Sequence, residues 1–375
     1  MEFKLKNTIK GFNPERYVKE SVGDEYSTFN GSELIDCSLG VNPFGYSSYI
    51  DNFNKENSFN KFNVGSYPQF PYLELKKKIA EYWKDHCRLN DSNIGFGTGS
   101  VGILLTINRL FIEKGTKVLG VGPTFTSYSS DVRLSEGIFD HVLLGENENF
   151  KFSADKFISR INPEYTLIYI DNPNNPTGQI IDIEEIKQVV AKARENGICV
   201  IIDEAYGDFM DNSNSAVNLI NDFENLMVVR TFSKGFGLAG LRVGYMLTSD
   251  YLSEMYSKVV LPFTLNNIGY SAAITSIKDR NFILSSRKKI SEVKKKVRAA
   301  FQYMRVLETN NEVPIMTIEF PDKNTNLFKL FKANGVLTEA GEDFTGLSKN
   351  FVRMRVPNNH FMLSEVIKNI EKKNV

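Results

Sequence analysis

Cysteine and histidine are scarce in this chain of 375 residues, with three of each. The cysteines are Cys37, Cys87 and Cys199. Their odd number and the lack of a CxxC spacing argue against a disulfide framework and indicate a reducing cytoplasm. The histidines lie far apart and lack the paired spacings of zinc ligands, so no metal site is expected from them.

An excess of either charge is also missing, because 45 Lys and Arg residues balance 45 Asp and Glu residues. Nucleic acid or an anionic membrane as the main partner would favour a basic excess, so neither is expected. No segment reaches the ~18 consecutive apolar residues that cross a bilayer. Residues 1–17 hold no apolar core of signal-peptide length, so export is not expected either.

What is present is an ordinary globular composition, with 42% hydrophobic and 24% charged residues. Such a composition supports a sizeable core, and at roughly 150 residues per domain the length suggests two domains or one large one. Residues 1–66 are rich in Asn, Ser, Phe and Gly and indicate an arm and loops.

Short apolar runs alternate with helical patterns between about residues 70 and 260. Each run has the length of a buried strand: Val118–Val121, Val142–Leu144, Leu167–Ile170, Val200–Ile202, Leu226–Val229 and Val243–Leu247. The spacing predicts helices at 72–86 and 182–196, the second with Asp182 as N-cap and Gly197 as its stop. Strands alternating with helices predict βαβ units and a mostly parallel sheet covered by helices.

The pattern changes after about residue 265. Residues 280–306 indicate one long helix, whose basic run is either a nucleic-acid patch or a solvated helix face. The run comprises Arg287, Lys288, Lys289, Lys294, Lys295, Lys296 and Arg298. The last ~70 residues alternate strands and helices and predict a smaller α+β domain: strands at 315–320 and 351–356, a helix near 325–333 and a final helix.

Residues Gly97–Gly102 fit the pattern GxGxxG and precede an apolar helix. A dinucleotide site also needs an acidic residue at the end of the next strand. That strand runs instead into Gly122, Pro123 and Thr124, so a nicotinamide site is not supported. A phosphate site at a helix start remains, with a simple helix cap by Ser100 as the alternative.

Three further motifs follow buried strands. Asp171–Gly178 predicts a rigid turn at the edge where α/β ligands bind, unless the turn is purely structural. A buried Asp203 needs a cationic partner such as a protonated pyridine nitrogen, unless it caps the following helix. Lys234, flanked by glycine and hydroxyl residues, suits a Schiff-base nucleophile, and Arg242 suits a phosphate. An isolated lysine would by default lie on the surface.

The order and spacing of these motifs resemble those of the fold-type I, pyridoxal-phosphate-dependent aminotransferases of class I/II. The resemblance extends from about residue 35 to 357. The likeness is greatest to histidinol-phosphate aminotransferase and threonine-phosphate decarboxylase. The resemblance implies a large domain with a mostly parallel, seven-stranded sheet covered by helices, and a small C-terminal α+β domain. The implied bounds are 1–45 for an arm joining the small domain, 46–265 for the cofactor-binding domain and 266–375 for the small domain.

The resemblance also implies residue roles. Lys234 binds the cofactor as a Schiff base and shuttles the substrate proton, while Asp203 pairs with the pyridinium nitrogen. Asn175 and Tyr206 bond the ring's phenolate oxygen. The remaining cofactor contacts lie on the ring face and at the phosphate: Phe125, Ser100, Val101, Thr231, Ser233 and Arg242.

Further implied contacts involve the substrate and a second subunit. Tyr67 matches a tyrosine that reaches the neighbouring subunit's cofactor phosphate, which implies a homodimer with shared active sites. Arg353 matches the clamp for the substrate α-carboxylate, with Arg355 as the alternative. Asn42 falls in the family's mobile N-terminal substrate segment, and Asn175 is a further substrate contact.

The implied reaction is ping-pong transamination of an L-amino acid or amine, with or without a phosphate group. The alternative is decarboxylation, as in threonine-phosphate decarboxylase. Glu339 stands where that relative tends to have an arginine, and it would repel a substrate phosphate nearby, which favours the transaminase. A cofactor-sensing regulator would need a DNA-binding module before residue 35, where the resemblance leaves no room for one.

Overall fold

The computed structural model describes residues 7–10, 12, 26–29, 31–51 and 65–374. The strands of this part are β1 (Tyr26–Phe29), β2 (Ser32–Asp36), β3 (Ile94–Gly97), β4 (Lys117–Gly122), β5 (Ile138–Leu143), β6 (Tyr165–Asp171), β7 (Cys199–Asp203), β8 (Leu226–Thr231), β9 (Gly244–Thr248), β10 (Arg305–Val306), β11 (Ile315–Glu319), β12 (Val336–Leu337), β13 (Glu339–Ala340) and β14 (Phe351–Arg355). The helices are α1 (Asn7–Lys10), α2 (Leu73–Trp83), α3 (Gly99–Phe111), α4 (Thr126–Leu134), α5 (Ala154–Ile158), α6 (Ile183–Glu195), α7 (Asp250–Ser257), α8 (Asn267–Ser276), α9 (Arg280–Arg298), α10 (Leu327–Ala333) and α11 (Phe361–Asn374).

The large sheet has seven strands in the order β3-β9-β8-β7-β6-β4-β5. Strands β4 to β8 run parallel, and β9 runs antiparallel to both of its neighbours. All six predicted apolar runs contribute to these strands. The mostly parallel, seven-stranded sheet is therefore confirmed.

Both faces of this sheet are covered, which explains the continuous apolar runs. Along β7, Val200 and Ile202 pack into one apolar cluster, and Ile201 packs into the cluster on the opposite face. The predicted helix 182–196 is confirmed as α6, where the Asp182 side chain accepts the N–H of Glu184 at 2.9 Å.

Two smaller sheets complete the fold. One is antiparallel, in the order β10-β11-β14-β13, and the other has the order β1-β2-β12. Because β2 pairs parallel with β12, an N-terminal strand lies beside C-terminal residues. The domain bounds at residues 45 and 265 stay predictions. Residues 1–6, 11, 13–25, 30 and 52–64 lie outside the described residues, and with them parts of the predicted arm and loops.

The predicted long helix 280–306 is wrong at its end, because α9 stops at Arg298. The Glu371 carboxylate on α11 accepts the N–H groups of Gln302, Tyr303 and Met304 at 2.9–3.0 Å. These amides therefore cannot continue the helical ladder. The chain reverses and enters β10, which pairs with β11.

The solvated helix face is also wrong for Lys294, which is fully buried. Its Nζ donates to the Thr309 hydroxyl and to the carbonyls of Asn310, Val313 and Ile315 at 2.7–2.8 Å. Burial lowers the pKa of Lys294 well below its ordinary value. Because Lys294 is buried, it is not part of a basic surface that could contact nucleic acid.

No helix of the described residues is long and apolar enough to span a membrane. The same residues contain no group of three or more His, Cys, Asp or Glu side chains placed to hold a metal ion. The three cysteines are free thiols.

Candidate active site

A cavity of about 290 Å³ lies at the carboxyl ends of β6, β7 and β8. Ten of the predicted site residues line it: Ser100, Val101, Phe125, Asn175, Asp203, Tyr206, Thr231, Ser233, Lys234 and Arg242. They meet because parallel strands end at one edge of the sheet, which is where α/β proteins bind ligands. Asn42, Tyr67 and Arg353 are not among the lining residues.

One part of the cavity is built to hold an anion. Helix α3 begins at Gly99, so the amides of Ser100 and Val101 lie in its first turn. A side chain at Gly99 would place its Cβ 2.6 Å from the Arg242 guanidinium. The Arg242 Nη1 donates to the Ser233 hydroxyl at 3.2 Å, and this places a cation, a hydroxyl and free helix amides together.

Gly244 explains how the antiparallel strand β9 reaches this loop. A Cβ at Gly244 would lie 2.4 Å from the carbonyl carbon of Gly99 and 2.8 Å from the Ser100 nitrogen. Only a residue without a side chain lets the two backbones come so close. Gly240 differs from Gly244, since a Cβ at Gly240 would meet nothing within 4 Å.

Asp203 sits in the buried part of the cavity. Its carboxylate accepts the Tyr169 hydroxyl at 3.0 Å and the N–H of Ala205 at 3.0 Å. Burial, with the charge of Asp171 as a second cause, raises the pKa of Asp203 to about 7. A cation beside Asp203 would lower this pKa again, so the site favours a positively charged partner.

Asp171 shapes the turn that carries Asn175. It accepts the Thr124 hydroxyl at 2.8 Å, the Asn174 amide at 2.9 Å and the N–H of Asn175 at 2.9 Å. Burial raises the pKa of Asp171 to about 6 despite these bonds. The carboxyl thus organises the Asp171–Gly178 turn, as the structural interpretation expects, and Asn175 of the same turn lines the cavity.

Lys234 is half-buried, with its Nζ 5.5 Å from the centre of the Tyr206 ring. The next residue, Gly235, is held from two sides. Its carbonyl accepts the Asn42 amide at 2.9 Å, and its N–H donates to the Asp208 carboxylate. A Cβ at Gly235 would lie 2.2 Å from that of Asp208, so a larger residue would displace the lysine loop.

A buried ion triad lies beneath this loop. Arg230 donates to Glu204 at 2.5 Å and to Asp208 at 2.6 Å, and its guanidinium stacks 4.8 Å from the Trp83 ring. None of the sequence motifs indicates this triad, although charged residues within buried segments imply mutual pairing. It links the strand that ends in Asp203 to the strand that leads to Lys234.

Arg353 lies at the edge of the cavity without lining it. Its Nη1 donates to the Asn175 side chain at 3.3 Å, and its Nη2 donates to the Ser38 carbonyl. Arg355 instead donates to the carbonyls of Asp36 and Val356. Since Asn175 lines the cavity, the geometry favours Arg353 over Arg355 as the anion clamp.

Tyr67 and Asn42 lie elsewhere. Tyr67 is 78% exposed and stacks on Phe263 at 4.4 Å, in a groove that borders Arg242. Asn42 is buried, and its amide is engaged with Gly235 and with the Ser286 hydroxyl at 3.1 Å. Their roles toward a partner subunit and a substrate stay predictions.

Tyr169 does not line the cavity, but its contact with Asp203 makes it the main addition to the predicted site residues. It lies within β6, stacks on Tyr128 at 4.0 Å and orients Asp203 from below. A tyrosine inside an apolar strand is a signal for such a bond, because a buried hydroxyl needs a partner. Which partner it takes depends on the pairing of β6 with β7.

Together the donors and acceptors fit a planar pyridine that carries a phosphate. Arg242, Ser233 and the first turn of α3 suit the phosphate, and Asp203 suits a protonated ring nitrogen. Lys234 and Tyr206 lie in the same cavity, where an amine can meet an aldehyde on that ring. This set of residues matches pyridoxal 5'-phosphate.

Comparisons with known proteins agree with this arrangement. Residues 34–368 match the sequence model of the family "Aminotransferase class I and II". Histidinol-phosphate aminotransferase of Caldanaerobacter subterraneus is 32% identical over 295 residues, 76% of this chain and 77% of that protein. The enzyme of that name from Ruminiclostridium cellulolyticum is 36% identical over 210 residues, and the match spans 56% of each chain.

Solved structures show the same architecture. Histidinol-phosphate aminotransferase from Clostridium acetobutylicum superposes with a TM-score of 0.80 and 26% identity, covering 91% of this chain and all of that one. The Sinorhizobium meliloti enzyme, solved with pyridoxal-5'-phosphate, has a TM-score of 0.79 at 19% identity, covering 100% and 99% of the two chains. At that identity the second likeness concerns the fold. With its sheet, its Lys234 cavity and the family match over most of its length, the chain belongs to the class I and II aminotransferases, fold-type I enzymes that use pyridoxal 5'-phosphate.

Proposed function

We propose that the protein moves an amino group from an amino acid or amine to a keto acid in a ping-pong cycle, with Lys234 as the catalytic amine. The observation that carries this proposal is the shared cavity. Lys234, Asp203 and Arg242 line it together, so an amine, a buried acid and an anion-binding cation face one volume.

The cofactor supplies an aldehyde that takes up amino groups and a ring that accepts electrons when the donor's Cα–H bond breaks. Asp203 holds a proton on the ring nitrogen, and Tyr169 orients Asp203. Lys234 takes the proton released from the donor carbon and returns it to the product. Arg353 would hold the donor by its carboxylate, and this would orient the Cα bonds of the donor.

Borohydride reduction tests the role of Lys234. Treatment of the holoenzyme should attach the cofactor to Lys234, as read from the labelled peptide by mass spectrometry. Lys234→Ala should carry no label at that peptide, while Lys258→Ala, which removes an exposed lysine, should label normally. A cofactor adduct of normal yield in Lys234→Ala would contradict the proposal.

We also propose a homodimer in which Tyr67 reaches the partner's cofactor phosphate. Tyr67, Phe70 and Phe263 are exposed and contact one another in one aromatic region, and this supports the arrangement. A patch of this kind is typical of an interface.

The proposed compartment is the cytoplasm, which the three free thiols support.

The relatives are named histidinol-phosphate aminotransferases, so L-histidinol phosphate is one donor to test. A single-turnover spectrum distinguishes the two reactions. Accumulation of pyridoxamine phosphate without a keto acid means transamination, the expected result. Carbon dioxide release from O-phospho-L-threonine, with recovery of the starting spectrum, would mean decarboxylation, which none of the compared relatives favours.

A further inference from the structure

We propose that Glu339 makes this site prefer donors whose one anionic group is a carboxylate, and disfavour phosphate esters. The expected substrates are α-amino acids with uncharged side chains. The inference rests on the proposed function, in that Arg353 binds the donor's anionic group.

The contact that motivates the proposal joins two neighbouring strands. The register of β13 and β14 places Glu339 directly opposite Arg353. The Glu339 Oε1 lies 3.7 Å from the Arg353 Nη2, and the two residues are 3% and 0% exposed. Arg353 in turn contacts Asn175, a lining residue of the cavity. Glu339 therefore stands one side chain behind the volume that a donor would fill.

The two arginines of the site differ in their partners. Arg242 donates to the Ser233 hydroxyl and to the carbonyls of Ala239 and Thr98, which are all uncharged. Arg353 has a carboxylate beside it. An anion next to Arg242 meets a full positive charge, whereas an anion next to Arg353 meets a charge that Glu339 already offsets in part.

A second acid lies near the same clamp. Asp36 is buried and accepts the N–H and the hydroxyl of Ser38, whose carbonyl binds Arg353. The Arg355 guanidinium bonds the Asp36 carbonyl. The region around the Arg353 side chain thus contains two arginines and two carboxylates, and their formal charges add up to zero. These residues are Arg353, Arg355, Glu339 and Asp36.

Charge arithmetic then separates the donor classes. A carboxylate brings the formal sum of this buried region to minus one, and the Arg353 guanidinium can still form paired bonds with it. A phosphate ester adds close to two negative charges at neutral pH, opposite a buried carboxylate that they repel. Since uncompensated buried charge is costly, the site discriminates against the phosphate.

The test uses the wild-type holoenzyme with two matched pairs of donors: L-threonine against O-phospho-L-threonine, and L-histidine against L-histidinol phosphate. The second-order rate constant for forming pyridoxamine phosphate is measured for each. We expect the unphosphorylated member to react at least about tenfold faster, because a closely opposed like charge costs on the order of one pKa unit or more. A faster reaction of the phosphorylated member in both pairs would overturn the proposal.

Glu339→Gln removes the charge and keeps the side-chain shape. Its ratio of phosphorylated to unphosphorylated rates should rise about tenfold over that of the wild type, by the same estimate. Glu342→Gln removes a charge three residues further on at an exposed position, and should leave the ratio as it is. An unchanged ratio in Glu339→Gln would overturn the role of Glu339. The wild-type comparison stands even if that variant does not fold.

Binding of inert ligands separates this inference from the proposed reaction. Calorimetric titration of the holoenzyme with 3-phenylpropionate and with phenethyl phosphate needs no turnover. The inference is supported if 3-phenylpropionate binds more tightly than phenethyl phosphate and if this difference in affinity is smaller in Glu339→Gln. Tighter binding of the phosphate overturns it. If no donor converts the cofactor, the proposed reaction fails, and the titration still decides the role of Glu339.

Discussion

Asn42 donates its side-chain amide to the carbonyl of Gly235 at 2.9 Å, and so ties the N-terminal segment to the residue that follows Lys234. The same amide reaches Ser286 on α9 at 3.1 Å. Three distant parts of the chain therefore meet at the lysine loop. The structure gives Asn42 a contact that positions the loop of Lys234, and its expected role toward the substrate stays a prediction.

Replacing Asn42 by Ala should slow Schiff-base formation and catalysis by about 10- to 100-fold, because small displacements of a reacting group are costly. Stopped-flow absorbance after cofactor addition measures the first step, and a pH titration of the Schiff-base band reports the surroundings of Lys234. Ser286→Ala is the control, since it keeps the bond to Gly235. An equal effect of both variants would mean that the contact only supports the fold.

Asp203→Asn should separate stability from function. Since burial raises the pKa of Asp203 to about 7, the folded apoprotein keeps a proton that the unfolded chain releases near pH 4. Stability therefore falls as pH rises between these values and levels off above pH 7. In the variant, the free energy of unfolding should depend less steeply on pH. Above pH 7 it should be higher than that of the wild type by roughly 1–3 kcal/mol.

Urea unfolding of the apoprotein between pH 4 and 8 measures this change. Part of the slope should remain, because the pKa of Asp171 is also raised, to about 6. Transamination by the same variant should fall by at least about 100-fold, since the amide cannot hold the ring proton. An unchanged pH slope would show that Asp203 is ionised in the apoprotein throughout this range.

Arg353→Lys should raise the KM for the amino donor by about 100-fold while cofactor affinity stays unchanged. A lysine cannot form the paired bonds of a guanidinium to a carboxylate. Arg355→Lys should mainly lower the melting temperature, because Arg355 bonds the carbonyls of Asp36 and Val356. The reverse pattern in steady-state kinetics would make Arg355 the clamp.

Shared active sites predict complementation between two inactive or weakened variants. Mixing Lys234→Ala with Tyr67→Ala subunits, after mild dissociation, should restore about a quarter of wild-type sites if subunits exchange at random in a two-fold dimer. Activity of the mixture is compared with the sum of the parents, and sedimentation confirms the dimer. Activity no greater than that sum would place Tyr67 outside the neighbouring site.

Lys294→Met should destabilise the protein by about 3–5 kcal/mol, because three carbonyls and a hydroxyl lose a buried donor. Chemical denaturation gives the difference. Lys295→Met, at the neighbouring exposed position, should change stability by less than about 0.5 kcal/mol. A similar small change for Lys294→Met would mean that the loop at 309–315 finds other donors.

Local pattern was sufficient for the sheet and for most of the cavity. The apolar runs predicted the buried strands, and the motifs ending in Asp203 and leading to Lys234 follow them directly. Parallel strands end at a common edge, so residues just after them converge whatever the order of the strands. Recognition of the motif order then identified the cofactor.

Contacts between distant segments were decided only by the tertiary structure. The bond from Arg353 to Asn175 spans 178 positions, and the bonds from Glu371 that end α9 span 67 to 69. Hydrophobic periodicity indicates which face of a helix or strand is buried. It does not indicate which polar side chain of another segment contacts that face. Strand order, register and packing determine which residues meet. They bring Tyr169 into contact with Asp203, Asn42 with Gly235, and Glu339 with Arg353. The sequence by itself thus determined the fold class and most of the residues that meet in the cavity, while the packing of distant segments determined how those residues are held and which charges face them.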